Sequence, residues 1–171
     1  MDLVKSDYPT LREVAERIDD ADIVSLVEVA KEMLDLMVQQ HGIGLAAPQI
    51  GLSKRLFVIQ LQGTHKPWYF FNPEIIEFGT QTQELPEGCL SLPGMFYSVQ
   101  RPKKIIVQYQ DETAKIRKCA FEGMMARCFQ HELDHLDGIL FVDRINIAEK
   151  EEIDRVDAFL AEQFKIGRKP I

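Results

Sequence analysis

The sequence predicts an α+β fold in which antiparallel or mixed strands pack around a central helix, with one helix before them and another after. Three observations carry this prediction. Apolar residues recur at helical spacing over 22–40 and again over 124–136. Between those stretches lie four runs rich in β-branched and aromatic residues, and turn-forming residues stand between the runs. With 171 residues, 46% of them hydrophobic, the chain has the size of one globular domain with a substantial core, so 1–171 is read as a single domain.

Each element has its own local justification. Ile23, Leu26, Val27, Ala30, Leu34, Met37 and Val38 form the apolar stripe of the first helix, with Asp22 as N-cap and Gly42 as stop. The strand runs are "RLFVIQL" (55–61), "WYFFNPEIIEF" (68–78), "KIIVQYQ" (104–110) and "AKIRKCAFE" (114–122). Turn signals fall at Gly63, Asn72-Pro73, 86–88, Pro93-Gly94 and 111–113. After Gly123 the period returns to helix, with Met124, Met125, Cys128, Phe129, Leu133 and Leu136 on or near one side until Gly138. In the tail, 145–171, Ile153, Val156, Phe159, Leu160 and Phe164 mark an amphipathic C-terminal helix over 148–164.

Charge and cysteine content exclude several classes. Twenty Lys and Arg against 27 Asp and Glu give a net charge of -7, which argues against direct DNA binding. Lys165, Arg168 and Lys169 read as a solvated tail rather than a binding arm. The opening "MDLVKSDYPT" has no apolar core of a signal peptide, and no later run approaches a membrane span. Three cysteines are odd in number and too few for a disulfide framework. The expected setting is cytoplasmic, without membrane contact.

"FQHELDHLDG" (129–138) places two histidines four residues apart on the central helix. Residues at this spacing share a face about 6 Å apart along the axis, so His131 and His135 can converge on one ion, making this the metal-binding helix. Glu132, directly after the first histidine, is placed by the H-E-x-x-H pattern beside the ion as a proton acceptor. Phe129, Leu133 and Leu136 make the helix a core element, and imidazoles in a core need partners. A catalytic site of this type wants a third protein ligand. Downstream acids such as Asp137 and Asp143 are one source, as in a zinc endopeptidase; upstream thiols are the other.

Cys128 is a poor ligand, because the rise from 128 to 135 is about 10 Å while ligand atoms around one tetrahedral ion lie within roughly 4 Å of each other. Cys119 sits in an alternating strand pattern and reads as structural. Cys89, in the turn-rich "LPEGCLSLPG", follows a glycine that frees the backbone to offer a thiolate and the next N–H groups to a cleft. It is the best third ligand.

"HGIGLAAPQIG" (41–51) superficially matches a dinucleotide fingerprint, but it follows a helix and Pro48 prevents an early helical continuation. Its small residues Gly44, Ala46 and Ala47 instead admit a close backbone, as for an extended peptide added as a strand. The Gln49 amide is a neutral donor of the kind that steadies an oxyanion.

Together, "GIGLAAPQ" (42–49), "EGCLS" (87–91) and "QHELDH" (130–135) resemble, in order and spacing, the three signature motifs of the peptide deformylase family. "DGILFVDR" (137–144) is also similar, and the resemblance covers roughly the first 145 residues. It implies a single catalytic domain that removes the N-formyl group from the initiator methionine of nascent polypeptides and releases formate. It further implies Cys89, His131 and His135 as ligands of one divalent ion, Fe(II) first, with Zn, Ni and Co as alternatives. By the same resemblance Glu132 is the general acid and base, and Gln49 with the Leu90 backbone N–H holds the oxyanion. Ile43 and Gly44 are expected to pair with the peptide backbone and Cys128 to line the methionine pocket. The implied partners are N-formylmethionyl peptides, with the ribosome as a further candidate.

Overall fold

A computed structural model describes residues 1–5, 7–64 and 66–145. The C-terminal helix expected in the tail, and His65, lie outside the described residues.

The first helix, α1 (Asp20–Gln39), is followed by strands β1 (Gly44–Ala46), β2 (Leu56–Ile59), β3 (Trp68–Phe78), β4 (Thr82–Cys89), β5 (Leu92–Pro102), β6 (Lys104–Gln110) and β7 (Ile116–Glu122), and then by helix α2 (Gly123–Leu136). A five-stranded sheet runs β1-β2-β3-β6-β7, and β4 and β5 form a separate two-stranded hairpin. Every pair of named strands is antiparallel. The α+β class holds, with α2 as the central helix.

Strand alternation divides the larger sheet into two apolar faces. Leu45, Leu56, Val58 and Phe71 face α1, where Ile23, Ala30, Met33 and Met37 are buried against them. Ala46, Phe57, Ile59 and Phe70 face α2, packing on Ala126, Cys128 and Phe129. The Phe129 ring meets Phe57 and Phe70 edge-on at centroid distances of 5.0 and 5.1 Å, an arrangement favoured by the ring quadrupoles. A third cluster, Leu11, Leu92, Val99, Leu140 and Phe141, seats the β4–β5 hairpin. The helix α2 therefore has the sheet on one side and the hairpin on another, which is why Arg127, Gln130, Glu132, Asp134 and His135 are all buried on it.

Several local expectations are corrected. The N-cap of α1 is Asp19, three residues before Asp22, so that Asp20 and Asp22 lie in the first turn where the helix dipole favours acids. The helix ends on His41 at φ 58, so the left-handed position expected of Gly42 falls on the histidine. Asn72-Pro73 is no turn: β3 runs through it with a register shift and Asn72 at φ 48, a bulge. Finally, the segment around Cys89 is no loop but the β4–β5 hairpin, and Cys89 is the last residue of β4. Pro86 and Pro102 are tolerated there because each strand of a two-stranded sheet has a free edge.

Candidate metal centre

The thiol and the imidazoles come from different elements and meet where β4 ends against α2. Cys89 Sγ lies 3.3 Å from His135 Nε2, and one ligand atom from each of Cys89, His131 and His135 falls within 4.8 Å of the others. The two imidazoles cross at 81° with centroids 5.0 Å apart. One sulfur and two nitrogens so grouped are the donor set of a mononuclear site that takes zinc or ferrous iron. That span is close to the roughly 4 Å between ligand atoms of a tetrahedral ion. Cys119 lies on β7 opposite Val107, and Cys128 Sγ is directed at the Ile43 carbonyl at 3.7 Å; neither joins the group.

The histidines are held from behind. His131 donates its Nδ1–H to Glu87 Oε2 at 3.0 Å, which leaves Nε2 as the nitrogen that an ion could take in place of a proton. Glu87 also accepts from Arg101 Nε at 2.7 Å, Arg101 Nη2 at 2.9 Å and Arg127 Nη1 at 2.6 Å. Burial alone would raise the Glu87 carboxyl, but the hydrogen bonds from His131 and Arg101 prevail and bring it down to about 2. Arg101 continues to Asp134 Oδ2 at 2.8 Å, and Arg144 closes on Asp134 Oδ1 at 2.6 Å. Buried charges survive only when so paired. Sequence reasoning misses Glu87, Arg101, Arg127 and Asp134 as functional residues. Glu87 stands inside the "EGCLS" stretch and Asp134 beside His135, but nothing in their spacing announces the partners.

Glu132 is 3% exposed, and its Oε2 is one of two buried side-chain polar atoms without a hydrogen-bond partner among the described residues. The other is His135 Nδ1. Burial raises the Glu132 carboxyl to about 7, with the His131 cation pulling the other way. Burial, then the His131 charge, pushes His135 well below the ordinary imidazole range, so it stands neutral. A neutral imidazole and an unengaged carboxylate within one turn of helix suit a ligand and a proton carrier.

Gln49, in a 3-10 turn (Ala47–Ile50), accepts the Ala46 N–H on Oε1 at 2.8 Å. That bond turns its Nε2 toward Cys89 Sγ and Ser91 Oγ, both at 3.4 Å. Leu90 occupies the hairpin turn, its side chain against Gly42. Gly44 opens β1, a sheet-edge strand paired only with β2, and a Cβ there would collide with Glu132 Oε1 and stand 2.8 Å from Cys128 Sγ. A cleft of about 560 Å³ joins these features, a volume usual for ligand sites. Of the nine residues singled out from sequence, Ile43, Gly44, Gln49, Cys89, Leu90, Cys128, His131 and Glu132 line it; His135, 1% exposed, lies deeper.

Fold and site together point to a class: a metal-dependent hydrolase, with a group of side chains between a helix and a strand hairpin that could hold one ion beside a buried carboxylate. Residues 1–151 match the polypeptide deformylase family. The peptide deformylase of Prochlorococcus marinus (strain AS9601) is 45% identical over 148 residues, 85% of this chain and 73% of that protein. Among solved structures, the peptide deformylase from Thermus thermophilus superposes with a TM-score of 0.85 at 40% identity, covering 97% of this chain and 98% of that one. That of Synechococcus elongatus in complex with actinonin gives 0.81 at 40% identity, covering 89% and 82%. The chain belongs to the polypeptide deformylase family, metal-dependent hydrolases that take the formyl group off the initiator methionine of nascent polypeptides. Among the described residues no helix is long and apolar enough to cross a membrane.

Proposed function

We propose that Cys89, His131 and His135 hold one divalent ion, Fe(II) in the active form, and that Glu132 carries the proton when this chain deformylates N-formylmethionyl peptides. The observation that supports this most directly is the buried, partnerless Glu132 carboxylate oxygen beside a Cys-His-His donor set. A bound divalent ion would supply Lewis acidity, lowering the pKa of water and polarising the formyl oxygen. Zn, Ni or Co would suit the same donors.

The side chains divide the remaining work. An extended substrate lies along the free edge of β1, its backbone paired with Ile43 and Gly44 and its methionine side chain directed toward Cys128. Glu132 accepts a proton from the attacking water and delivers it to the departing amine nitrogen, so that formamide and water become formate and a free N-terminus. As the formyl oxygen gains charge, the Gln49 Nε2–H and the Leu90 backbone N–H donate to it. Gln49 is prepared for this by Ala46, which fixes the amide's orientation. A nascent-chain substrate makes the cytoplasm the working compartment and the ribosome the natural partner.

The test is formate release from a formyl-methionyl tripeptide by protein purified without oxygen, with bound metal measured in the same sample. Release should scale with one ion per chain, and Cys89→Ala should lose both ion and activity. A Cys89→Ala protein that keeps its metal and its rate would favour a downstream acid as third ligand and overturn the assignment.

A further inference from the structure

A short turn beyond α2 reaches back to the histidine helix from outside the substrate cleft. The 3-10 turn Phe141–Arg144 begins with a ring that is buried among Leu11, Leu92 and Val99 and stacks on the His131 imidazole, with centroids 5.9 Å apart at 29°. It ends with Arg144, which grips Asp134 by two prongs, Nη2 at 2.6 Å from Oδ1 and Nε at 3.2 Å from Oδ2. Neither residue lines the cleft. Asp134 shares Arg101 with Glu87: Arg101 gives Nη1 to Asp134 and keeps Nε and Nη2 for Glu87, whose Oε2 accepts from His131. The side chains of Arg101, Glu87 and Asp134 are at most 9% exposed, whereas that of Arg144 is 46% exposed. Arg144 is thus the surface end of a chain of charged contacts whose inner end is a proposed metal ligand.

We propose that Arg144 is a positioning residue for the ion: it balances Asp134 so that Arg101 stays on Glu87 and His131 keeps its orientation, and it thereby sets how long the ion is retained, with no part in binding the peptide. The inference rests on the assignment of Cys89, His131 and His135 as the ligands. Without Arg144, Asp134 Oδ1 would lose its donor, and the buried carboxylate would have Arg101 as its remaining cation. A buried charge short of partners draws on the one it has. Arg101 would shift toward Asp134 and away from the Glu87 oxygens, and the groups that orient a ligating imidazole govern how firmly it holds a metal. Because Arg144 is half exposed, replacing it leaves the apolar clusters intact.

The test follows release of Zn(II) from the loaded protein to a competing chelator. Arg144→Ala should release the ion about tenfold faster than wild type. Arg144→Lys, which restores the charge but not the two-pronged contact, should fall between the two. With the ion kept saturating, KM for a formyl-methionyl tripeptide should be unchanged in both variants. Asn72→Ala, weakened in the sheet rather than at the network, should release its ion at the wild-type rate. Release from Arg144→Ala at the wild-type rate, equally fast release from Asn72→Ala, or a raised KM would overturn the inference and leave the ligand assignment standing. A wild-type chain that takes up no ion, or a Cys89→Ala variant that holds it as firmly, would overturn that assignment and this inference with it.

Discussion

At the scale of single residues, Gly44 shows how closely the site is built. Its missing side chain leaves room for the Glu132 carboxylate and the Cys128 thiol at once. Gly44→Ala must therefore move the Glu132 carboxylate, the proposed proton carrier, because β1 is tied to β2 along its length. Turnover should drop by about 100-fold or more with a stability loss of only about 1–2 kcal/mol, checked by formate release alongside urea denaturation. The converse case is Cys89, whose residue type and preceding glycine suggest a presented thiolate. The same reading puts it in a loop, yet the structure places it at the end of β4. Strand β4 escapes notice because its "TQELPEGC" has no β-branched apolar run. Its inward Glu87 meets Arg101 and Arg127 where an ordinary strand would present a hydrophobe.

At the scale of elements, polar staples position what the apolar faces alone leave adjustable. Asn72, in the bulge of β3, accepts the Ile18 N–H at 2.8 Å and donates to the Ile18 carbonyl and Gln110 Oε1, both at 2.7 Å. It ties the segment entering α1 to the sheet. Asn72→Ala removes three buried hydrogen bonds and strands both backbone groups of Ile18, at a cost of about 3 kcal/mol. The φ of 48 at that position adds strain for alanine. The check is the urea midpoint, which should fall without a change in slope. From sequence the bulge reads as a turn because Asn-Pro is a turn signal. Pairing of β3 with β2 up to Phe71, and with β6 on both sides of the bulge, overrides that local preference.

At the scale of the whole molecule, α2 is clamped between sheet and hairpin by charges that must stay ionised. Glu87 titrates at about 2 rather than 4.5, so it binds its proton less readily folded than unfolded. A depressed carboxyl contributes stability above about 4.5 that is lost as pH falls toward 2; at 1.36 kcal/mol per pH unit the contribution is on the order of 3 kcal/mol. Urea denaturation in the presence of a chelator should show the protein weakening steeply over that window. Glu87→Gln should be less stable at neutral pH and lose less on acidification; an identical acid slope would remove Glu87 as the cause. By itself, the sequence determined the α+β class, the helix carrying His131 and His135, the strands 68–78 and 104–110, and the residues worth suspecting, because helical period, β-branched runs and short motifs are local properties. Only the tertiary structure decided that Cys89 reaches those histidines, that Gly44 makes room for Glu132, and that Glu87 and Arg101 stand behind His131. Those relations join residues dozens of positions apart, and no local pattern encodes a distance until the chain has packed.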